Sequence, residues 1–135
     1  MRHRIKTSIF NRATKNRKAM LCNMTRSLLE TGEITTTKAK AKEIKRWVDK
    51  LMPLALENTL ESKRKLHEYF GKRDVVNTLT EVIAPAMKDR RSGFTILELV
   101  GRRRGDNAFM ARLSLVNKPA NLGTFKQKQQ QAQGK

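Results

Sequence analysis

No acidic side chain occurs before Glu30, yet the same opening stretch interleaves Arg2, His3, Arg4, Lys6, Arg12 and Lys15 with polar and only a few apolar residues. The imbalance runs through the whole chain, with 30 Lys and Arg against 12 Asp and Glu, a formal charge of +18. A compact body with that charge repels itself, so a polyanion is needed to offset it. Nucleic acid fits best, because each neutralised phosphate releases condensed counterions. An anionic membrane surface or an acidic protein fits less well. At 135 residues the chain suits one domain, and a hydrophobic fraction of 38% points to a modest core.

Cys22 is the single cysteine, which rules out an intrachain disulfide and a cysteine-based zinc site. No apolar segment follows the basic start as in a secretory signal. No apolar run approaches the roughly 20 residues of a membrane span. A cytoplasmic protein with no membrane partner is expected.

Periodicity places a first helix over 16–31, with Met20, Met24 and Leu28 as a buried stripe beside Leu21. Gly32 supplies its stop. A short extended link over 33–36 follows, and Thr36 or Thr37 can cap the next helix. That helix puts Ile44, Trp47, Val48, Leu51 and Ala55 on one face and Lys38, Lys42, Lys45 and Arg46 on the other. Trp47 follows the apolar stripe and is read as core. Pro53 is expected to kink or end this helix near Met52. A third helix is read over 56–70, with Leu60, Leu66, Tyr69 and Phe70 apolar and Gly71 as its end. A fourth is read from Asp74, a cap candidate, to Ala84, with Val75, Leu79, Val82 and Ile83 inward and Pro85 as the stop.

The last ordered unit reads as a hairpin. Residues 94–100 are rich in β-branched and apolar types, and 109–116 alternate Phe109, Ala111, Leu113 and Leu115 against Met110, Arg112 and Ser114. The connection carries Gly101, Arg102, Arg103, Arg104, Gly105 and Asp106, and its arginines can reach into an RNA groove. Residues 126–135 are rich in Gln and Lys and are expected to be disordered when free. The predicted organisation is a basic arm (1–15), a single α+β domain (16–117) and a tail (118–135).

Catalytic signatures are missing from the sequence. There is no Gly-rich phosphate loop. His3 and His67 lie far apart, and no carboxylate pair suggests acid–base work. No cofactor, metal or small-molecule substrate is expected. Most aromatics fall on expected core faces, and Phe10 alone sits among basic residues. The chain therefore lacks the aromatic platform of a single-strand reader, and phosphate and shape recognition is favoured. That leaves two binding classes open, a folded-RNA protein and a histone-like DNA architectural protein. A basic enzyme acting on nucleic acid is a third possibility without a catalytic constellation.

Several segments resemble the family of bacterial large-subunit ribosomal protein number seventeen. Met1-Arg2-His3-Arg4, Asn11-Arg12, and Arg17-Lys18-Ala19-Met20 with Asn23-Met24 are similar to its start. Ile34-Thr35-Thr36-Thr37 and Ala41-Lys42-Glu43 resemble the opening of its second helix. Ala84-Pro85, Asp89-Arg90, Gly93-Phe94-Thr95, Arg104-Gly105-Asp106-Asn107-Ala108 and Met110-Ala111 resemble its C-terminal hairpin. The chain departs from the pattern at Asn16, at Thr7-Ser8-Ile9-Phe10, at Pro53 and at Ile96. The resemblance implies a two-layer α+β fold: a helix, a short strand, three helices and a two-stranded hairpin, behind an extended basic arm. It also implies a structural role in the large subunit, with ribosomal RNA and neighbouring ribosomal proteins as partners. The residues expected to meet RNA are Arg2, His3, Arg4, Lys6, Arg12, Lys15, Arg17 and Lys18 near the start. On the second helix they are Lys38, Lys42 and Lys45, and in the loops Arg90, Arg91, Arg102, Arg103 and Arg104.

Overall fold

Apolar residues three and four apart wind residues 14–31 into the first helix of this computed structural model, which describes residues 8–119 and Leu122. Helix α1 (Thr14–Thr31) buries Leu21, Thr25, Leu28 and Leu29, while Met20 and Met24 pack half-buried at the edge of the same core. Thr14 and Lys15, read with the arm, lie in its first turn. Gly32 ends it in the left-handed region at φ 79°, and its N–H donates to the Leu28 carbonyl at 2.8 Å. A side chain there would be strained and would meet Leu122 Cδ1 at 2.8 Å.

Strand β1 (Glu33–Thr37) follows, and Thr37 is the N-cap of helix α2 (Lys38–Glu57), although its hydroxyl makes no cap bond. Of the two outcomes expected at Pro53, a kink or an end near Met52, the end is corrected, because the helix continues past Pro53 to Glu57. A proline inside a helix costs about 3 kcal/mol through its missing N–H and the clash one turn back. Leu51, Met52 and Ala55 flank it and are buried, and burying a large apolar side chain returns about 1.5–3 kcal/mol each. Packing holds the turn that propensity would break.

The third helix accordingly starts later than expected. Helix α3 (Leu60–Phe70) is capped by Thr59, whose hydroxyl accepts the Ser62 N–H at 3.2 Å. Leu60, one of the apolar residues read in this helix, is 67% exposed, because it opens the helix outside the packed layer. Helix α4 (Arg73–Thr78) is also shorter than read, and Lys72 rather than Asp74 occupies its N-cap. The chain continues as a π-helical turn (Leu79–Ile83), whose wider winding brings the Ala84 N–H to the Leu79 carbonyl at 2.9 Å. That change of period explains why Val76 is buried and Val82 only half-buried. Pro85 then opens a short 3₁₀ turn ending at Met87.

Strands β2 (Thr95–Arg102) and β3 (Phe109–Leu115) form the expected hairpin, but among the described residues the sheet has three strands. Its order is β1-β3-β2, antiparallel throughout, with Ile34 opposite Leu113 and Leu97 opposite Leu113 from the other side. The expected two-stranded unit thus gains the short strand after α1 as its far edge. Ala111, Leu113 and Leu115 point from central β3 into a core shared with Leu28, Ile44, Val48, Leu66, Leu79, Ile83, Met87 and Phe94. Helix α2 packs on β2 and β3, so the helices form one layer and the sheet the other. The opposite sheet face carries the exposed Glu33, Thr35, Glu98 and Arg112.

The aromatic at the hairpin's end departs from expectation. Phe109 shares the inward parity of Ala111 and Leu113 yet is 51% exposed. The hairpin extends beyond the start of the helical layer, so its last inward position meets the first turn of α2 instead of the core. A bulge at Val100, where Leu99 pairs with Ala111 and Gly101 with Met110, re-aims the end of β2.

Candidate nucleic-acid interface

The register fixes which cations meet. Thr37 pairs with Met110, and Phe109 pairs with Arg102, so the chain leaves β1 and enters α2 at the hairpin's tip. The first turns of α2 and the tip enclose a cleft of about 500 Å³, whose walls include Lys38, Lys42, Glu43, Arg46, Ala108 and Phe109, with Ser8 from the segment before α1. Phe109 stands between two cations. Lys38 Nζ lies 5.6 Å and Arg102 Cζ 4.6 Å from its ring centroid, both within cation–π range. Glu43 is buried, only 6% exposed, and its Oε2 lies 3.4 Å from Arg46 Nη1.

The loop at the tip is ordered from within. Arg103 grips Asp106 with two contacts, Nε to Oδ1 at 3.1 Å and Nη2 to Oδ2 at 2.5 Å. Asp106 Oδ1 also accepts the Ala108 N–H at 3.2 Å, and the Arg103 N–H donates to the Ala108 carbonyl at 2.9 Å. Gly105 and Asn107 supply positive φ values of 97° and 53° for the reversal. The Arg103 guanidinium, with the Ala108 amide, holds the Asp106 carboxyl down to about 2. The same pairing raises Arg103. The three loop arginines therefore differ: Arg103 is engaged by the loop, Arg102 lies on Phe109, and Arg104 makes no hydrogen bond or ion pair among the described residues.

The other expected contacts are dispersed. Lys45 is half-buried on the same helix as Lys38 and Lys42. Arg90 and Arg91 are exposed in the loop ahead of β2. That loop is at the far end of an eight-residue strand, roughly 25 Å from the tip at the usual rise per residue. Arg12 is exposed just before α1, and Lys15, Arg17 and Lys18 lie on its first half. Lys18 borders a second cleft of about 610 Å³ with Cys22, Trp47, Lys65 and Tyr69. Arg2, His3, Arg4 and Lys6 lie outside the described residues, as does most of the expected tail. The structure thus gathers Lys38, Lys42 and Arg102 and leaves Arg90 and Arg91 apart. It also brings in Arg46, already read on the basic face of α2, and it adds Glu43 and Phe109, which sequence reasoning did not place at a site.

The second cleft has structural chemistry of its own. Trp47, read as core, is half-buried and stacks on Tyr69 with centroids 5.2 Å apart, and Lys50 Nζ lies 5.4 Å from the Trp47 ring centroid. The Cys22 thiol donates to the Tyr69 carbonyl at 3.3 Å, and burial raises its pKa, against the opposing pull of Arg26. Among the described residues, no three His, Cys, Asp or Glu side chains are grouped to hold a metal ion. No described helix is long and apolar enough to cross a membrane.

The family model for Ribosomal protein L17 matches residues 20–116, from the middle of α1 through the end of the sheet. The chain belongs to the ribosomal protein L17 family. It is accordingly a ribosomal protein of the large subunit, in agreement with the resemblance read from its segments. A large ribosomal subunit protein bL17 from Sulfurihydrogenibium sp. (strain YO3AOP1) is 39% identical over 121 residues, covering 89% of this chain and 100% of the relative. That of Finegoldia magna is 43% identical over 106 residues, covering 78% and 81%. That of Natranaerobius thermophilus is 45% identical over 100 residues, covering 74% and 88%. The observed mixed α+β fold is the one the resemblance implied.

Proposed function

We propose that this L17-family chain is a structural, non-catalytic constituent of the cytoplasmic ribosome that binds folded large-subunit RNA by its phosphates and stabilises it during assembly. One observation carries the reading. Helices α1 and α2 both begin without a side-chain cap and without an acid in the first turn, and both place cations there instead, Lys15 and Arg17 in one and Lys38 and Lys40 in the other. Cations at a helix N-terminus oppose the macrodipole and cost stability in isolation. The short α3 shows the ordinary arrangement, with Thr59 as cap and Glu61 in the first turn. The two unfavourable helix starts make physical sense when phosphates, which favour both the dipole and the lysines, lie against them.

Lys38, Lys42 and Arg102 would then form a continuous phosphate contact, joined by Arg104 on the loop and Lys45 along α2. Arg12, Lys15, Arg17 and Lys18, with Arg2, His3, Arg4 and Lys6 of the arm, would form a second. Arg90 and Arg91 would reach a separate strand of the RNA. Arg103 would act mainly by holding the loop. Neighbouring large-subunit proteins complete the surroundings.

Filter binding of the full chain to large-subunit RNA across a salt series tests this. Affinity should fall steeply with salt, and Lys38→Gln, Lys42→Gln and Arg102→Gln should each reduce the log–log slope by about 1. Equal preference for competitor duplex DNA would favour the architectural reading and overturn this one. So would absence of the chain from the large subunit in gradient-purified ribosomes.

A further inference from the structure

We infer that the cleft between the hairpin tip and α2 receives one unpaired nucleotide of the RNA, its base stacked on Phe109 and its phosphate held by Lys38 and Arg102. The inference rests on the RNA-binding reading and adds to it a stacking site that phosphate recognition alone does not require.

Three features meet there. Phe109 is a large aromatic ring, half exposed and already flanked by two cations, at 5.6 Å and 4.6 Å from its centroid. Both cations lie over the ring, so a base stacks on Phe109 by taking the place of the more distant Lys38, whose ammonium then meets the nucleotide's own phosphate while Arg102 keeps its place. The space beside it is about 500 Å³, the lower part of the range for a small-molecule site and ample for one nucleotide unit. The walls are of mixed sign. Glu43 is a buried carboxylate, and it repels a phosphate from the inner wall and accepts hydrogen bonds from a base's N–H groups. The cations lie toward the rim, where Lys38 begins α2 with no side-chain cap. Charge therefore orients the nucleotide with base inward and phosphate outward. A double helix cannot place a base there, so the site selects a bulged or loop nucleotide.

The bland alternative is that Phe109 simply packs against the lysine and arginine stems. The two readings differ in what Phe109→Leu does. Leucine keeps an apolar contact at a partly exposed position, so thermal unfolding should be unchanged, whereas the π-face is lost. With the full chain and large-subunit RNA, Phe109→Leu should weaken binding on the order of tenfold without altering the salt slope. Phe109→Tyr should restore wild-type affinity. Ultraviolet crosslinking of the wild-type complex should leave a single-nucleotide adduct on the tryptic peptide spanning 105–112.

Wild-type affinity of Phe109→Leu, with no adduct on that peptide, overturns the inference while leaving the salt-dependent RNA binding of the chain intact. Normal RNA affinity combined with poor entry into subunits also overturns it, in favour of a protein neighbour at this cleft. Failure of the wild-type chain to bind the RNA at all would remove the reading beneath it, and the salt series separates that result from the other two.

Discussion

The Asp49 carboxylate, midway along α2, accepts the backbone N–H of Phe94 at 3.3 Å. The bond fixes the residue immediately before β2 to the helix that spans the sheet, and it satisfies a backbone donor beside the fully buried Phe94 ring. A hydrogen bond to a charged acceptor contributes about 1.5–3 kcal/mol, and a buried donor left without a partner carries its own cost. Asp49→Ala should therefore destabilise the fold by about 2 kcal/mol, and Asp49→Asn, which keeps an acceptor, by clearly less. Urea unfolding of both variants checks the ordering. Equal losses would mean that the carboxylate's charge, not its acceptor geometry, matters at this position.

Pro53 is the residue at which local propensity and tertiary packing most clearly oppose each other. Helix α2 passes through it because Leu51, Met52 and Ala55 are buried on the core side. Replacing it with alanine restores the N–H and removes the ring's clash with the carbonyl of Asp49. Pro53→Ala should stabilise the chain by about 1 kcal/mol or more, seen as a higher denaturation midpoint at unchanged m-value. A loss of stability would show instead that the ring itself fills space that alanine leaves empty.

Pro53 also marks where the sequence stopped being legible. Helices α1, α2 and α3 and the hairpin could be read because their apolar periodicity and the glycines at 32 and 71 agree with local geometry. What failed was decided by contacts between distant segments. The helix crossing Pro53, the π-turn at Leu79–Ile83 and the pairing of β1 with β3 all depend on packing that no local window contains. The cations of α2 and of the loop were recognised one element at a time. That Lys38, Lys42 and Arg102 meet around Phe109 follows only from the strand register and from a hairpin longer than the layer it packs on. Parity puts Phe109 on the helical side of the sheet, but its exposure there depends on where the helices begin, which parity does not contain.

Tyr69 carries a hydroxyl that is buried and has no hydrogen-bond partner of good geometry among the described residues. The neighbouring Thr25 hydroxyl donates instead to the Leu21 carbonyl at 2.8 Å. Burial raises the Tyr69 hydroxyl from its ordinary value of 10.0 to about 12, against a smaller opposing pull from the nearby Thr25 hydroxyl. The unfolded chain thus releases this proton near pH 10 while the folded chain holds it to about 12. The native state's advantage at this group is complete below the lower value and is lost as pH rises through the upper one. Tyr69→Phe removes an unsatisfied polar atom and keeps the stacking on Trp47, so it should match the wild type or exceed it by about 1 kcal/mol at neutral pH. The gap in its favour should widen above pH 10. Cys22 titrates in both proteins, so the difference between their pH–stability curves isolates the tyrosine.

Asp106 makes the hairpin loop depend on a single carboxylate, because it accepts from both Arg103 and the Ala108 amide. Its folded value near 2 lies below its ordinary 3.8, so its ordering of the loop is present above 3.8 and is lost as pH falls through 2. The group is exposed and the body of the fold does not rest on it. Asp106→Asn should therefore leave global unfolding unchanged while the Ala108 amide exchanges faster. Its effect on RNA is the sharper measurement. The variant removes one negative charge and releases Arg103 to face phosphate, so the salt slope for large-subunit RNA should steepen by about 1. Loss of loop order should at the same time displace Arg102 from Phe109 and weaken binding at high salt, where counterion release contributes least. The salt series should consequently show the two binding curves crossing. A variant that binds more tightly at every salt concentration would show that Arg103 matters only as charge and that the loop's shape contributes nothing to recognition.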